Sequence, residues 1–215
     1  MKNIPVQAFF DLANKGLDII DLRESDNFGM AFIKGSINIP YNKKFADRVK
    51  QFFSAEQNLL LVMNEGDDEN VAKEFESLGY KHVIGYLEGG FISWTKANLP
   101  VDMIIDIEAD ELMMDLPYDE NLVVIDVRKP LEFAQGHLKQ SVNIPLNDLA
   151  DPAKVAAIEE RDNVYLHCGG GSSSFVAASY LKKQGVHNLH VIIGGWRKIK
   201  EESKAKIVKE PDVLN

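Results

Sequence analysis

The sequence predicts an α/β chain of two tandem domains of one kind, each a mostly parallel sheet with helices on both faces. Three observations predict it: an ungapped internal repeat, an alternation of β-rich runs with helical patterns, and strands that are apolar almost end to end. The stretch DIIDLRESDNFGMAFIKGSINIPYN aligns without a gap on VVIDVRKPLEFAQGHLKQSVNIPLN. Asp21 matches Asp126, Arg23 matches Arg128, Asn38 matches Asn143, Pro40 matches Pro145 and, later, Gly89 matches Gly194, each pair 105 positions apart. A unit of roughly a hundred residues is too long for a solenoid repeat and suits a whole domain.

Within the first copy the β-rich runs are LDIIDL, NLLLV and HVIGYL, with the helical pattern VAKEFESLG between the last two. The second copy repeats the order with NLVVIDV, NVYLH and HVII, and places the helical FVAASYLKKQG between its last two runs. Strands alternating with helices in this way read as parallel βαβ units. Pro100 ends a helical segment and VDMIID follows it, so the boundary is expected near Val101, giving domains 1–100 and 101–215. Split there, the formal charges are −3 and −6, from 11 basic and 14 acidic residues before the boundary and 13 and 19 after it. Neither part is an acidic tail.

Composition narrows the function classes. The 215 residues are 45% hydrophobic and 27% charged, which allows a real core. A net charge of −9 without any Lys/Arg cluster argues against nucleic acid or an anionic membrane as partner. No window approaches the roughly 18 apolar residues of a membrane span, and the start has no apolar region of signal-peptide length. A single cysteine makes no internal disulfide, so a reducing compartment, the cytoplasm, is expected.

That cysteine, Cys168, lies in YLHCGGGSSSFVAASYLKKQG, between an apolar run ending at His167 and a helix beginning near Phe175. Open α/β sheets bind ligands at the carboxyl ends of their strands, where the next helix offers unpaired N–H groups. Gly169, Gly170 and Gly171 let successive N–H groups converge into an anion-binding nest that stabilises a thiolate. By composition alone a buried structural cysteine with a slack loop explains the stretch equally well.

The segment from Cys168 to Ser174 resembles the active-site loop of rhodanese-like sulfurtransferases: Cys, two small residues, Gly, any residue, Arg, then Ser or Thr. The resemblance extends to IDVR, to EFAQGHLKQSVNIP and to the GGW at 194 to 196, and it covers both halves of the chain. It is also similar to the tandem rhodanese portion that follows a metallo-β-lactamase-type persulfide dioxygenase domain, notably in GGWRKIKEE. Such a domain or protein is therefore an implied partner, although the chain lacks that domain's His-x-His-x-Asp-His motif.

The resemblance implies sulfur transfer through a Cys168 persulfide, from a thiosulfate- or persulfide-type donor to a thiophilic acceptor, with no cofactor and no metal. Cys168 is the expected nucleophile. Gly169, Gly170, Gly171, Ser172, Ser173 and Ser174 form the expected binding loop, with Asp126, Arg128, His137, His167, Gly194 and Gly195 in support. Asp126 and Arg128 recur as Asp21 and Arg23, which favours a structural ion pair. His167 adjoins the cysteine, yet neighbours on a strand face opposite ways, so no direct Cys–His dyad is expected. His137 is expected to tie down its loop.

Two departures from the family pattern stand out. Ser173 occupies the place of the loop arginine, which should weaken the grip on a dianionic donor. The first copy offers Met63, or Val62 if the gap is placed differently, where the thiol belongs, followed by Glu65, Asp67, Asp68 and Glu69, and has Ala31 and Phe32 in place of Gly136 and His137. It is expected to be degenerate and inactive. Two other readings compete: a non-catalytic scaffold, and phosphatase or arsenate-reductase chemistry. The latter needs an arginine at position 174, where this sequence has serine.

Overall fold

The computed structural model describes residues 1–159 and 161–210. The chain divides into two compact units, Met1–Met103 and Ile104–Asn215. Both are built on a five-stranded, all-parallel sheet.

In the first unit the strand order across the sheet is Asn3–Ile4, Val83–Leu87, Leu59–Val62, Asp18–Asp21, Ile37–Asn38. In the second it is Ile105–Ile107, Leu189–Ile192, Asn163–His167, Leu122–Asp126, Ser141–Asn143. The two orders correspond strand for strand, as the repeat requires. The central strand of each sheet is covered on both faces: all of Leu59–Val62 and all of Val164–His167 are buried. That is why these runs read as continuous rather than alternating hydrophobics.

Helices Val6–Asn14, Phe45–Phe52 and Asp68–Ser77 belong to the first unit, and Ala109–Asp115 and Ser173–Lys183 to the second. The last of these decides where the site lies. Val176, Ala177, Ala178 and Leu181 are fully buried, and Ser174, Phe175 and Ser179 nearly so. A helix buried over most of its circumference is fixed against the sheet, and its small alanines let it approach closely. Its first turn is therefore held rigidly at the carboxyl end of the central strand.

Each unit also carries a two-stranded antiparallel clasp. Phe32–Ile33 pairs with Val101–Asp102, and His137–Leu138 pairs with Ile207–Val208. The sequence reading places Val101 at the start of the second unit. In the structure Val101–Asp102 closes the first unit instead, and the division falls between Met103 and Ile104. The backbone pairing to Phe32–Ile33 is what draws this segment back, and two-residue strands leave no periodicity to read.

Candidate active site at the end of the central strand

Cys168 directly follows the strand Asn163–His167 and directly precedes the glycine loop. Its residue is 5% exposed, whereas Gly169 and Gly171 beside it are exposed. The sulfur thus sits just beneath an open loop. Gly171 N–H donates to Sγ at 3.4 Å, and Sγ lies 3.1 Å from the Gly171 carbonyl oxygen. The shorter contact is that of a protonated thiol donating to a carbonyl, and the longer one is available to a thiolate. Ser174 Oγ stands 3.7 Å from the sulfur. Ser172 and Ser173 form the turn into the helix, which begins at Ser173, slightly ahead of the expected Phe175.

A second segment locks this loop from the side. Gly194 and Gly195 adopt φ values of +70° and +53° after the strand Leu189–Ile192. That turn brings Trp196 N–H to the Cys168 carbonyl at 2.7 Å. Glycine is needed at 195 for two reasons: the left-handed conformation, and the collision a Cβ would make with the Cys168 carbonyl oxygen. Arg197, next along, donates from Nη2 to the Gly170 carbonyl at 2.7 Å. A Cβ on Gly170, itself at φ +129°, would run into Arg197 Nε.

Asp126 and Arg128 form a buried, bidentate pair. Arg128 Nε lies 3.0 and 2.9 Å from the two carboxylate oxygens, and Nη2 lies 2.5 Å from Oδ2. The same guanidinium donates to the Gly136 carbonyl at 2.8 Å and lies 4.4 Å from the centre of the Trp196 ring. It therefore ties the strand end, the loop at Gly136 and the Gly195–Trp196 turn together. Asn143 Nδ2 completes the frame by donating to the carbonyls of Asp126 and Arg128.

The two histidines face elsewhere. His167 Nδ1 lies 3.4 Å from the Cys168 carbonyl oxygen, not from the sulfur, and Nε2 is 3.7 Å from Asp126 Oδ2 with no hydrogen-bond partner. Burial holds the His167 imidazole below its ordinary pKa, against the pull of Asp126. His137 stacks on Phe133 at 3.6 Å and donates from Nδ1 to the Phe133 carbonyl at 2.9 Å. It fastens the end of the helix Pro130–Gln135.

The first unit has the same frame without the chemistry. Arg23 pairs with Asp21 and lies 3.9 Å from the centre of the Phe91 ring, and Asn38 Nδ2 donates to the carbonyls of Asp21 and Arg23. A Cβ on Gly90 would press on the Met63 carbonyl oxygen, as one on Gly195 would on that of Cys168. Met63 fills the thiol's place and is buried. The cleft there, about 270 Å³, is lined by Asn3, Asn64, Glu65, Asp68, Tyr86 and Glu88 among others. Its acidic lining repels anions. Among the described residues no group of His, Cys, Asp or Glu is placed to hold a metal ion.

The structure thus gathers Cys168, Gly170, Gly171, Ser174, Gly194 and Gly195 at one point and sets Asp126, Arg128 and His167 behind it. His137 lies at the clasp. Sequence reasoning passed over Trp196 and Arg197 as site residues. The signal was the repeat itself, because Arg197 stands where the first copy has Ile92.

The geometry is that of a cysteine-loop domain on a parallel α/β sheet, present twice and with a thiol once. The chain belongs to the rhodanese-like domain family, which matches residues 8–97 and 108–202. It is similar to a sulfurtransferase of Allochromatium vinosum, 28% identical over 93 residues, covering 43% of this chain and 85% of that one. It is also similar to a thiosulfate sulfurtransferase of Pseudomonas entomophila, 36% identical over 81 residues and covering 36% and 72% of the two chains. A solved thiosulfate sulfurtransferase from Pseudomonas aeruginosa aligns over 98% of this chain and 44% of its own length, at 17% identity and a TM-score of 0.44. Among the described residues no helix is long and apolar enough to cross a membrane.

Proposed function

We propose that this chain is a sulfurtransferase that carries one sulfane sulfur on Cys168, taking it from a thiosulfate- or persulfide-type donor and passing it to a thiophilic acceptor. The observation that carries the reading is the position of Cys168 Sγ beside Gly171 N–H and Ser174 Oγ beneath an exposed glycine loop.

In the first half-reaction the Cys168 thiolate attacks the outer sulfur of the donor. The new S–S bond forms as the donor's own S–S bond breaks, and sulfite, or a thiolate for a persulfide donor, leaves with that electron pair. In the second, a nucleophile attacks the outer sulfur of the persulfide and the Cys168 thiolate departs. No external oxidant or reductant is consumed. Splitting the transfer through a covalent intermediate replaces one hard step with two easier ones.

The loop's part follows from its contacts. Once the thiol loses its proton, the Gly171 carbonyl at 3.1 Å repels the sulfur and the Gly171 N–H attracts it. Gly171 gives the Gly171–Ser172 peptide the freedom to turn its carbonyl away and its N–H inward. A persulfide extends the negative sulfur outward, toward the same N–H groups and the Ser174 hydroxyl.

We assign the first unit a structural role, on the buried Met63 and the acidic cleft beside it. The lone thiol suits a reducing compartment, and we place the protein in the cytoplasm on that ground. A persulfide dioxygenase-type protein fits as a consumer of the sulfur once it has been passed to a thiol.

Intact mass after incubation with thiosulfate, and separately with glutathione persulfide, tests the reading. One sulfur should be gained and then lost to cyanide or a thiol, and Cys168→Ser should gain none. A parent protein that gains no sulfur from either donor refutes it.

A further inference from the structure

We infer that Arg197 is the donor-recognising cation of this site, reaching the cysteine loop from the following turn and taking the place of the arginine that Ser173 leaves missing. Its side chain crosses to Gly170 and donates from Nη2 to that carbonyl at 2.7 Å, so the guanidinium is pinned at the oxygen end of the same peptide whose N–H, at the other end, meets the sulfur. One N–H of five serves that bond. The planar fork keeps further donors available to an oxyanion.

Arg197 is exposed, as a residue that meets an incoming solute must be. The other arginines of the second unit are committed elsewhere. Arg128 is buried against Asp126, and Arg161 pairs with Glu159 at 2.7 Å. The repeat supplies an independent observation. At the matching place the first unit, which has no thiol, carries Ile92, exposed and apolar. The cation is present only in the copy that has something to deliver an anion to.

The fixed geometry of the turn makes the placement specific. Trp196 N–H holds the Cys168 carbonyl and the Trp196 ring lies against Arg128, so the residue after Trp196 projects over Gly170. The Gly170 bond also supports the loop, so the test must separate charge from support.

The donor in this inference comes from the sulfur-transfer reading, but the test does not depend on it. Cys168 is the sole thiol, so alkylation reports on it alone. The rate with anionic iodoacetate is divided by that with neutral iodoacetamide in the parent, Arg197→Ala and Arg197→Lys. Arg197→Ala should lower the ratio by about threefold to tenfold, as expected for one unit charge acting over several ångströms. Arg197→Lys should keep most of it, and added salt should compress the difference.

With thiosulfate as donor, Arg197→Ala should raise KM by more than it lowers kcat. A ratio that stays constant while both alkylation rates change would show Arg197 acting only as a prop for Gly170, and would overturn the inference. A ratio that falls in a protein that accepts no sulfur would sustain the cation site and refute the sulfur-transfer reading instead.

Discussion

The backbone N–H of Trp196 donates to the carbonyl of Cys168 at 2.7 Å, so the reactive residue is held by a segment far along the chain from its own loop. That contact exists because Gly195 lets the turn pass within reach of the Cys168 carbonyl. Gly195→Ala should destabilise the second unit by about 1–3 kcal/mol, from a left-handed φ and an unrelieved collision. It should also slow alkylation of Cys168. Urea unfolding and iodoacetamide kinetics measure the two effects. Normal stability together with normal reactivity would mean that the turn does not position the thiol.

Ser173 and Arg197 should be coupled. If Arg197 already supplies the cation, Ser173→Arg adds little to thiosulfate turnover in the parent and much more in the Arg197→Ala background. The interaction in a double-mutant cycle should be about 1–3 kcal/mol, the range of one charge-assisted contact. Strict additivity of the two substitutions would separate the sites.

A thiol alone should not revive the first unit. Met63→Cys in a Cys168→Ser background sets a buried sulfur at the same strand end, in a unit whose cleft is lined by Glu65, Asp68 and Glu88 and which has Ile92 in place of a cation. The expected gain of cyanide-labile sulfur from thiosulfate is nil. Sulfur uptake by this variant comparable with that of the parent at Cys168 would show the fold, rather than the loop, to be sufficient.

The pH dependence of stability should carry the mark of His167. Burial opposes its charge and holds its native pKa below that of the unfolded chain, which protonates it near pH 6.5. The stabilisation is fully present above that pH and is lost as pH falls toward the lower native value, by at most about 1.4 kcal/mol per pH unit. His190, held down by burial as well, acts in the same direction. Urea unfolding between about pH 7.5 and pH 5 should show this decline, and His167→Asn should flatten it. An unchanged slope in that variant would assign the pH dependence to other groups.

The repeat made much of this fold legible. Asp21, Arg23 and Asn38 recur as Asp126, Arg128 and Asn143 because each trio fastens the same strand end, and buried strands betray themselves as unbroken apolar runs. The cysteine loop was legible because its glycines and serines stand next to one another in sequence. Arg197 was not, since its bond to Gly170 spans 27 positions and exists only after the Gly194–Gly195 turn has formed. A loop lacking its expected arginine therefore looked uncharged, when the fold lays a cation on it from outside. The clasp strands escaped for a different reason: two residues carry no period, and their pairing is written only in backbone hydrogen bonds.

Met63 in the place of a second cysteine also decides how this chain meets oxidants. An oxidised Cys168, sulfenic acid or persulfide alike, finds no other thiol among these 215 residues to condense with. Neither relay from one unit to the other nor rescue by an internal disulfide is open to it. On the proposed sulfur-carrying reading, the thiol that unloads Cys168 comes from outside these residues and approaches where Gly169 and Gly171 are exposed, so the lifetime of the loaded state should follow the thiol concentration around it.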